Sequence, residues 1–452
     1  MKQLLFTLVT ATLFFSCKKN DLPDIDFGNN FNGFIYTSTN ATSGNAIIAL
    51  GRNHNGTVEE LKGSPYATGD RGDAAEGDFD TQWALRIVGD YLLAVNAGGN
   101  PERSTVSVFK INKANGKLTQ VDQNPATPDI DNMNSRGVRA ASIAAKTIGA
   151  TTWVVVANQF ANPNYQGSPA VAYGSVMSTS ERNLAVFTLN QASGLLYYRS
   201  IGATYMDGNN GGPTTVEFNA AGTKLAVSTW GVPHFATPDA DLSLQKPGRL
   251  YSYNFNDGNL AQSGLFQEEG ISGNIGISWS PNDQYIYMSN FNLHSSKESN
   301  SLTVHNGMTG AKMQNFATGG RNDEGCWTWV SIDKRKLYVA SFGDNVMSAF
   351  TIGSTNFLEK TLEPNFFKRR GELPTGDTKD MHETADGYLY VSGAFQSHTI
   401  TTFKTSPTGM LSEVTASPYY IPTSKGKSKE EHAYLGLTGF DKNELANKGN
   451  GN

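Results

Sequence analysis

The chain of 452 residues carries 36 Lys and Arg against 41 Asp and Glu, a net charge of −5, with 38% hydrophobic and only 17% charged residues. That length exceeds one ordinary core and calls for several domains or a repeat. The scarcity of charge excludes coiled coils, and the mild acidity excludes the electrostatic footprint of a nucleic-acid binder. The 47 glycines suit many short strands joined by tight turns.

At the front, Met1-Lys2-Gln3 gives a short positive start. Leu4 to Phe15 is an apolar run of secretory length, too short to span a bilayer. It closes on Leu13-Phe14-Phe15-Ser16-Cys17, which resembles a bacterial lipobox. The resemblance implies acylation of Cys17 and a lipid anchor at the cell envelope, on the outer membrane of a Gram-negative cell. Residues 1–17 therefore read as a lipoprotein signal peptide, 18–31 as a tether, 32–440 as the folded body and 441–452 as a polar tail. With Cys17 in the anchor, Cys326 has no second cysteine, so no disulfide or zinc set is expected. Its setting, Cys326-Trp327-Thr328-Trp329, reads as a buried strand with an inert thiol.

A short hydrophobic strand ending in a small polar residue recurs seven times. The copies begin at Phe34, Tyr91, Trp153, Lys224, Tyr285, Lys336 and Tyr388. After each comes an alternating strand, such as Thr105-Val106-Ser107-Val108-Phe109, and then a turn. The turns are Asn55-Gly56, Asn115-Gly116, Ser193-Gly194, Asp257-Gly258, Thr309-Gly310 and Thr408-Gly409, with Ser354-Thr355-Asn356 in the sixth copy. Gly and Asn tolerate the positive φ of hairpin turns. A fourth strand follows, and most copies have a leading strand, such as Thr215 to Asn219 and Ile277 to Ser280. Four antiparallel strands in seven copies predict an all-β, seven-bladed β-propeller. The first copy lacks a leading strand, and His432 to Gly439 has the missing pattern. That segment is expected to return and close the ring without an exposed edge.

Val216-Glu217-Phe218-Asn219-Ala220-Ala221-Gly222-Thr223-Lys224-Leu225-Ala226-Val227, Ile277 to Asn290 and Arg103 to Phe109 resemble the lactonase-type propeller family. That family includes propeller 6-phosphogluconolactonases and carboxymuconate cyclases, and the resemblance covers about residues 32–440. Its chemistry does not carry over. The family's Pro-His-x-His element reads Pro213-Thr214-Thr215 here, its Asn-Glu reads Asn290-Phe291, and an Asn-Arg pair reads Ser341-Phe342.

Leading strands line a propeller's channel, so polar residues at their mouths are the site candidates. They are Asp80, Gln82, Arg136, Arg139, Thr214, Thr215, Asn274, Glu324, Asp380, His382, Glu383, Glu431 and His432. A lactonase needs a base and a cation to steady an oxyanion. His382, Arg139 and Glu324 are the catalytic candidates, and Asp80, Arg136, Thr214, Asn274, Asp380 and His432 the ligand-binding ones. The bland alternative is a polar, water-filled funnel. The acidic run Asp70, Asp73, Glu76, Asp78 and Asp80 lacks the spacing of a calcium loop and reads as solvated. Insertions at 160–181 and 234–246 read as a binding mouth or as tolerated loops. No phosphate loop, nucleophile elbow or zincin motif is present, and no cofactor or metal is expected. Two readings stand: a monomeric envelope propeller binding a small polar or sugar-derived ligand or a partner, and a lactone hydrolase with a rearranged site.

Overall fold

The computed structural model describes residues 30–74, 80–98, 104–160, 182–205, 211–234, 237–318, 325–360, 366–370 and 376–442. Cys17, the proposed signal peptide and most of the 160–181 insertion lie outside them. The described residues form seven antiparallel sheets, six of them with their main strands in chain order from the channel outward. Innermost are Leu85–Val88, Ala140–Ile148, Pro213–Phe218, Gly273–Trp279, Gly325–Val330 and Thr378–Thr384 in blades 2 to 7. In blade 1 the innermost strand is the C-terminal Leu435–Asp441, paired with Gly33–Ser38. Each innermost strand touches those of the two adjacent blades, so the ring is closed. The closing strand runs to Asp441, one residue past the boundary read from sequence.

The two middle strands of a blade are sandwiched between neighbouring blades, which explains why they read as continuous apolar runs. Tyr91–Asn96 and Asn183–Leu189 are buried at every position. Each buried Val, Leu, Ile or Phe contributes roughly 1.5–3 kcal/mol to holding the blades together. The hairpin turns stitch blade to blade. Gly116 has φ 73°, and a Cβ there would lie 2.3 Å from the Phe34 ring of blade 1. In the sixth copy Asn356 takes the same role at φ 64°, its carbonyl accepting from the Tyr287 hydroxyl at 2.7 Å.

Antiparallel order fixes two faces. The upper face carries the starts of the innermost strands and the ends of the second strands. The lower face carries the turns between those two strands. At the lower face the closing strand is locked by charge: buried Arg52 is ion-paired with Asp441 and with Asp386 of blade 7.

Candidate functional site: the plugged channel and its upper mouth

The channel is not an open funnel. Asp80 to Trp83, just before the innermost strand of blade 2, crosses it as a plug. Thr81 donates its hydroxyl to the carbonyls of Ala141 and Thr214, in blades 3 and 4. Its own carbonyl accepts the indole N–H of Trp327, in blade 6, at 2.6 Å. The Gln82 amide donates to the Thr328 carbonyl at 2.6 Å and accepts from the Thr328 N–H at 3.3 Å. Ser142 donates to the Gln82 carbonyl at 2.6 Å, and the Gln82 N–H donates to Thr215 at 3.2 Å. In blade 7, Asp380 accepts the backbone N–H of Trp83 and that of Gly436. Four blades thus satisfy the side chains of Thr81 and Gln82 and the backbone N–H of Trp83, as burial requires.

Above the plug, an aromatic wall follows the ends of the second strands. Trp230 lies 6.1 Å from Phe291, and Phe342 lies 6.4 Å from Trp327 and 6.0 Å from Phe395. The Lys379 ammonium, 1% exposed, sits 5.8, 5.6 and 5.4 Å from the rings of Trp327, Phe342 and Phe395. Ring faces attract such a cation electrostatically. Beside this wall are buried polar groups with no partner among the described residues: both amide atoms of Gln159 and of Asn274, and the indole nitrogen of Trp230. Local packing keeps them adjacent. Gly212 leaves no room for a Cβ against Gln159, Trp230 bridges to Gly273, and Gly248 presses on the Asn274 side chain. An unpaired buried amide costs about 1–3 kcal/mol, so these groups mark a place that gains from a hydrogen-bonding ligand.

The candidates read from sequence are dispersed. Arg139 is on the upper rim, ion-paired with Asp73 at 3.2 Å. His382 is below the plug, at the level of Trp329 (ring centroids 5.5 Å apart) and Gly439. Burial, with Arg52 nearby, lowers its pKa to about 3, so it stays neutral. The plug therefore separates the expected base from the expected cation, and Glu324 lies outside the described residues. Arg136 points outward, its guanidinium 4.6 Å over the Tyr198 ring on the outer strand of blade 3. Thr214 is saturated within the fold, bonding Ser228 and the Asn274 carbonyl, and Thr215 serves the plug. His432 bonds Ser424 at 2.8 Å through Nδ1, while its carbonyl accepts from His398 at 2.8 Å. It braces the approach to the closing strand instead of facing the channel. Glu431 is exposed and pairs with Lys427.

Asp80 and Asn274 remain at the mouth, both buried. Asp380 is buried against the plug, and desolvation raises its pKa to about 7. Glu383 is likewise raised to about 7 by burial, but its carboxylate accepts the Ile332 N–H at 2.7 Å, in the groove between blades 6 and 7. Sequence reasoning passed over Gln159, Trp230 and Lys379. A signal existed for the wall: Phe291 and Phe342 stand where the resembled family has charged residues. Among the described residues no cluster of three metal-ligating side chains occurs, and no helix is long and apolar enough to cross a membrane.

No family model and no curated protein matches the chain. Solved structures do. A Bacteroides fragilis protein provisionally named a 6-phosphogluconolactonase is 15% identical, with TM-score 0.58, over 91% of this chain and 98% of that one. A Bacteroides uniformis structure with the same provisional name is 14% identical, with TM-score 0.59, over 90% and 99%. The periplasmic gluconolactonase of Pseudomonas aeruginosa is 12% identical, with TM-score 0.59, over 90% and 98%. At such identities the likeness speaks for the fold and not for the chemistry. The chain has the seven-bladed propeller fold of these lactonase-type structures, with a plugged channel and an aromatic upper mouth.

Proposed function

We propose that the protein is a cell-envelope propeller, exported and lipid-anchored through Cys17 to the outer membrane, that binds a small polar, sugar-derived ligand at its upper mouth as a monomer. The observation that carries the ligand is the set of buried, unpaired groups on Gln159, Asn274 and Trp230 beside an aromatic wall. Amides that both donate and accept suit hydroxyl-rich molecules, and ring faces suit the C–H faces of a sugar. Lys379 adds a positive field that favours oxidised sugars.

The test is calorimetric titration of the protein with aldonolactones, aldonates and the parent sugars. Binding that weakens about tenfold or more in Gln159→Leu, through loss of one buried hydrogen-bonding group, supports the reading. No binding across the panel by folded protein overturns it. For the anchor, metabolic labelling with a fatty acid is expected to mark the wild type and not Cys17→Ala.

A second reading, lactone hydrolysis with a rearranged site, is favoured by the likeness to a gluconolactonase structure. Its test is pH-stat hydrolysis of the same lactones by wild type, Arg139→Ala and His382→Ala. Turnover lost in either variant would make the protein an enzyme.

A further inference from the structure

Below the plug lies a chamber that the upper-mouth reading does not use. It encloses about 330 Å3 and is walled by Trp83, Trp279 and Trp329, with Arg86, Lys146 and Lys334 among its lining. That volume falls within the range of small-molecule sites. The rings of Trp83 and Trp329 lie 5.5 Å apart, tilted by 46°. Arg86 stacks 3.8 Å over Trp83, is ion-paired with Glu217, and donates to the Ile143 carbonyl at 2.9 Å. The Trp279 indole donates to the Glu217 carbonyl at 3.0 Å. The walls are therefore fixed before any ligand arrives.

Both carboxylates of the lining are already engaged. Glu217 faces Arg86, and Asp283 accepts the N–H groups of Ala220 and Ala221 at 2.8 Å and the Asn219 amide at 3.1 Å. Lys146 and Lys334 have no ion-pair partner among the described residues. Among the described residues the Trp83 indole nitrogen and Nδ1 of His382, which stands edge-on to Trp329, are also buried without a hydrogen-bond partner.

We infer that this lower chamber is a second binding site, for a small carboxylate whose body presents a flat apolar face, as a sugar acid does. The carboxylate meets Lys146 and Lys334 at the opening, and the apolar face lies on the tryptophans. A hydroxyl or other acceptor takes the Trp83 N–H. The plug isolates this chamber from the upper mouth, so the inference stands independently of the function proposed there.

The experiment follows tryptophan fluorescence of the full-length protein in detergent during titration with glucuronate, with glucose as the neutral counterpart and benzoate as a planar acid without hydroxyls. The expected result is a saturable response to glucuronate, weaker for glucose. In Lys146→Glu/Lys334→Glu the affinity falls about tenfold, as loss and reversal of two partly exposed charges implies. The same titrations in Gln159→Leu, which weakens the upper mouth, isolate the lower chamber's component, and that component keeps its affinity and its dependence on Lys146 and Lys334. Benzoate binding more tightly than glucuronate, with the same charge dependence, supports the site and makes the body aromatic. The inference is overturned by no saturable response to either acid in the millimolar range. It is equally overturned by binding in the Gln159→Leu background that survives the charge reversal with native circular dichroism, or by binding lost altogether in Gln159→Leu.

Discussion

At the upper end of the channel, Gln159 and Asn274 bury amides without partners beside neutral rings; at the lower end the deepest charges are matched, Arg52 with Asp386 and Asp441, and Arg86 with Glu217. The same strands run through both ends, so the difference comes from what connects them. Lower connections are short turns such as the one between Ile148 and Thr151, which leave little freedom and stitch the ring. Upper connections include the long one between Asn158 and Asn183. The buried ion pairs of the lower end thus sit beside short turns, and the unpaired amides of the upper end beside longer connections. The plug keeps the two chemistries apart.

The sharpest way to break this comparison is at the lower lock. Arg52→Ala removes the shared partner of two carboxylates, and we expect a loss of about 3–5 kcal/mol in urea unfolding. A loss below about 1 kcal/mol would mean that the closing strand holds without charge. Next in size is the plug. Gln82→Ala leaves the Thr328 N–H and carbonyl unpaired and should cost about 2–3 kcal/mol. It should also open the lower chamber to ligands of the upper mouth, seen as cross-competition that the wild type does not show.

The pH dependence sharpens the boundary itself. Asp380, against the plug, has its pKa raised to about 7, so folded protein holds a proton there that unfolded protein has released. Its contribution is fully present below the ordinary Asp value of about 4 and is lost as pH rises through about 7. His382 and His432, lowered to about 3 and about 4 by burial, act in the opposite sense: their contribution is fully present above the ordinary His value of about 6.5 and is lost as pH falls through about 4 and about 3. Asp380→Asn should therefore flatten the decline from about pH 4 to 7 relative to wild type; an unchanged slope would place the titration elsewhere. The smallest effect is at the upper mouth. Gln159→Leu should raise stability without ligand by about 1 kcal/mol, because it deletes an unsatisfied buried amide. Destabilisation would mean that the amide serves the fold.

Much of the frame was legible because it is local. The strand grammar fixed blade order, and even the irregular Ser354-Thr355-Asn356 turn follows the rule that Gly or Asn takes positive φ. The returning strand was legible from what the first copy lacked. The site was less so. Arg136 and Arg139 are three residues apart, yet one lies on an outer tyrosine and the other on the inner rim. His382 and Asp380 are two apart on one strand, yet the plug separates the chamber of one from the mouth above the other.

The sequence by itself determined the seven blades, the closure by the C-terminal strand and the buried cysteine, because alternation, turn residues and repeat spacing act over a few bonds. Only the tertiary structure decided that Asp80 to Trp83 crosses the channel and that Gln159, Trp230 and Asn274 come together unpaired. These residues belong to different blades, and closure of the ring, with no local pattern to announce it, decides what each of them faces.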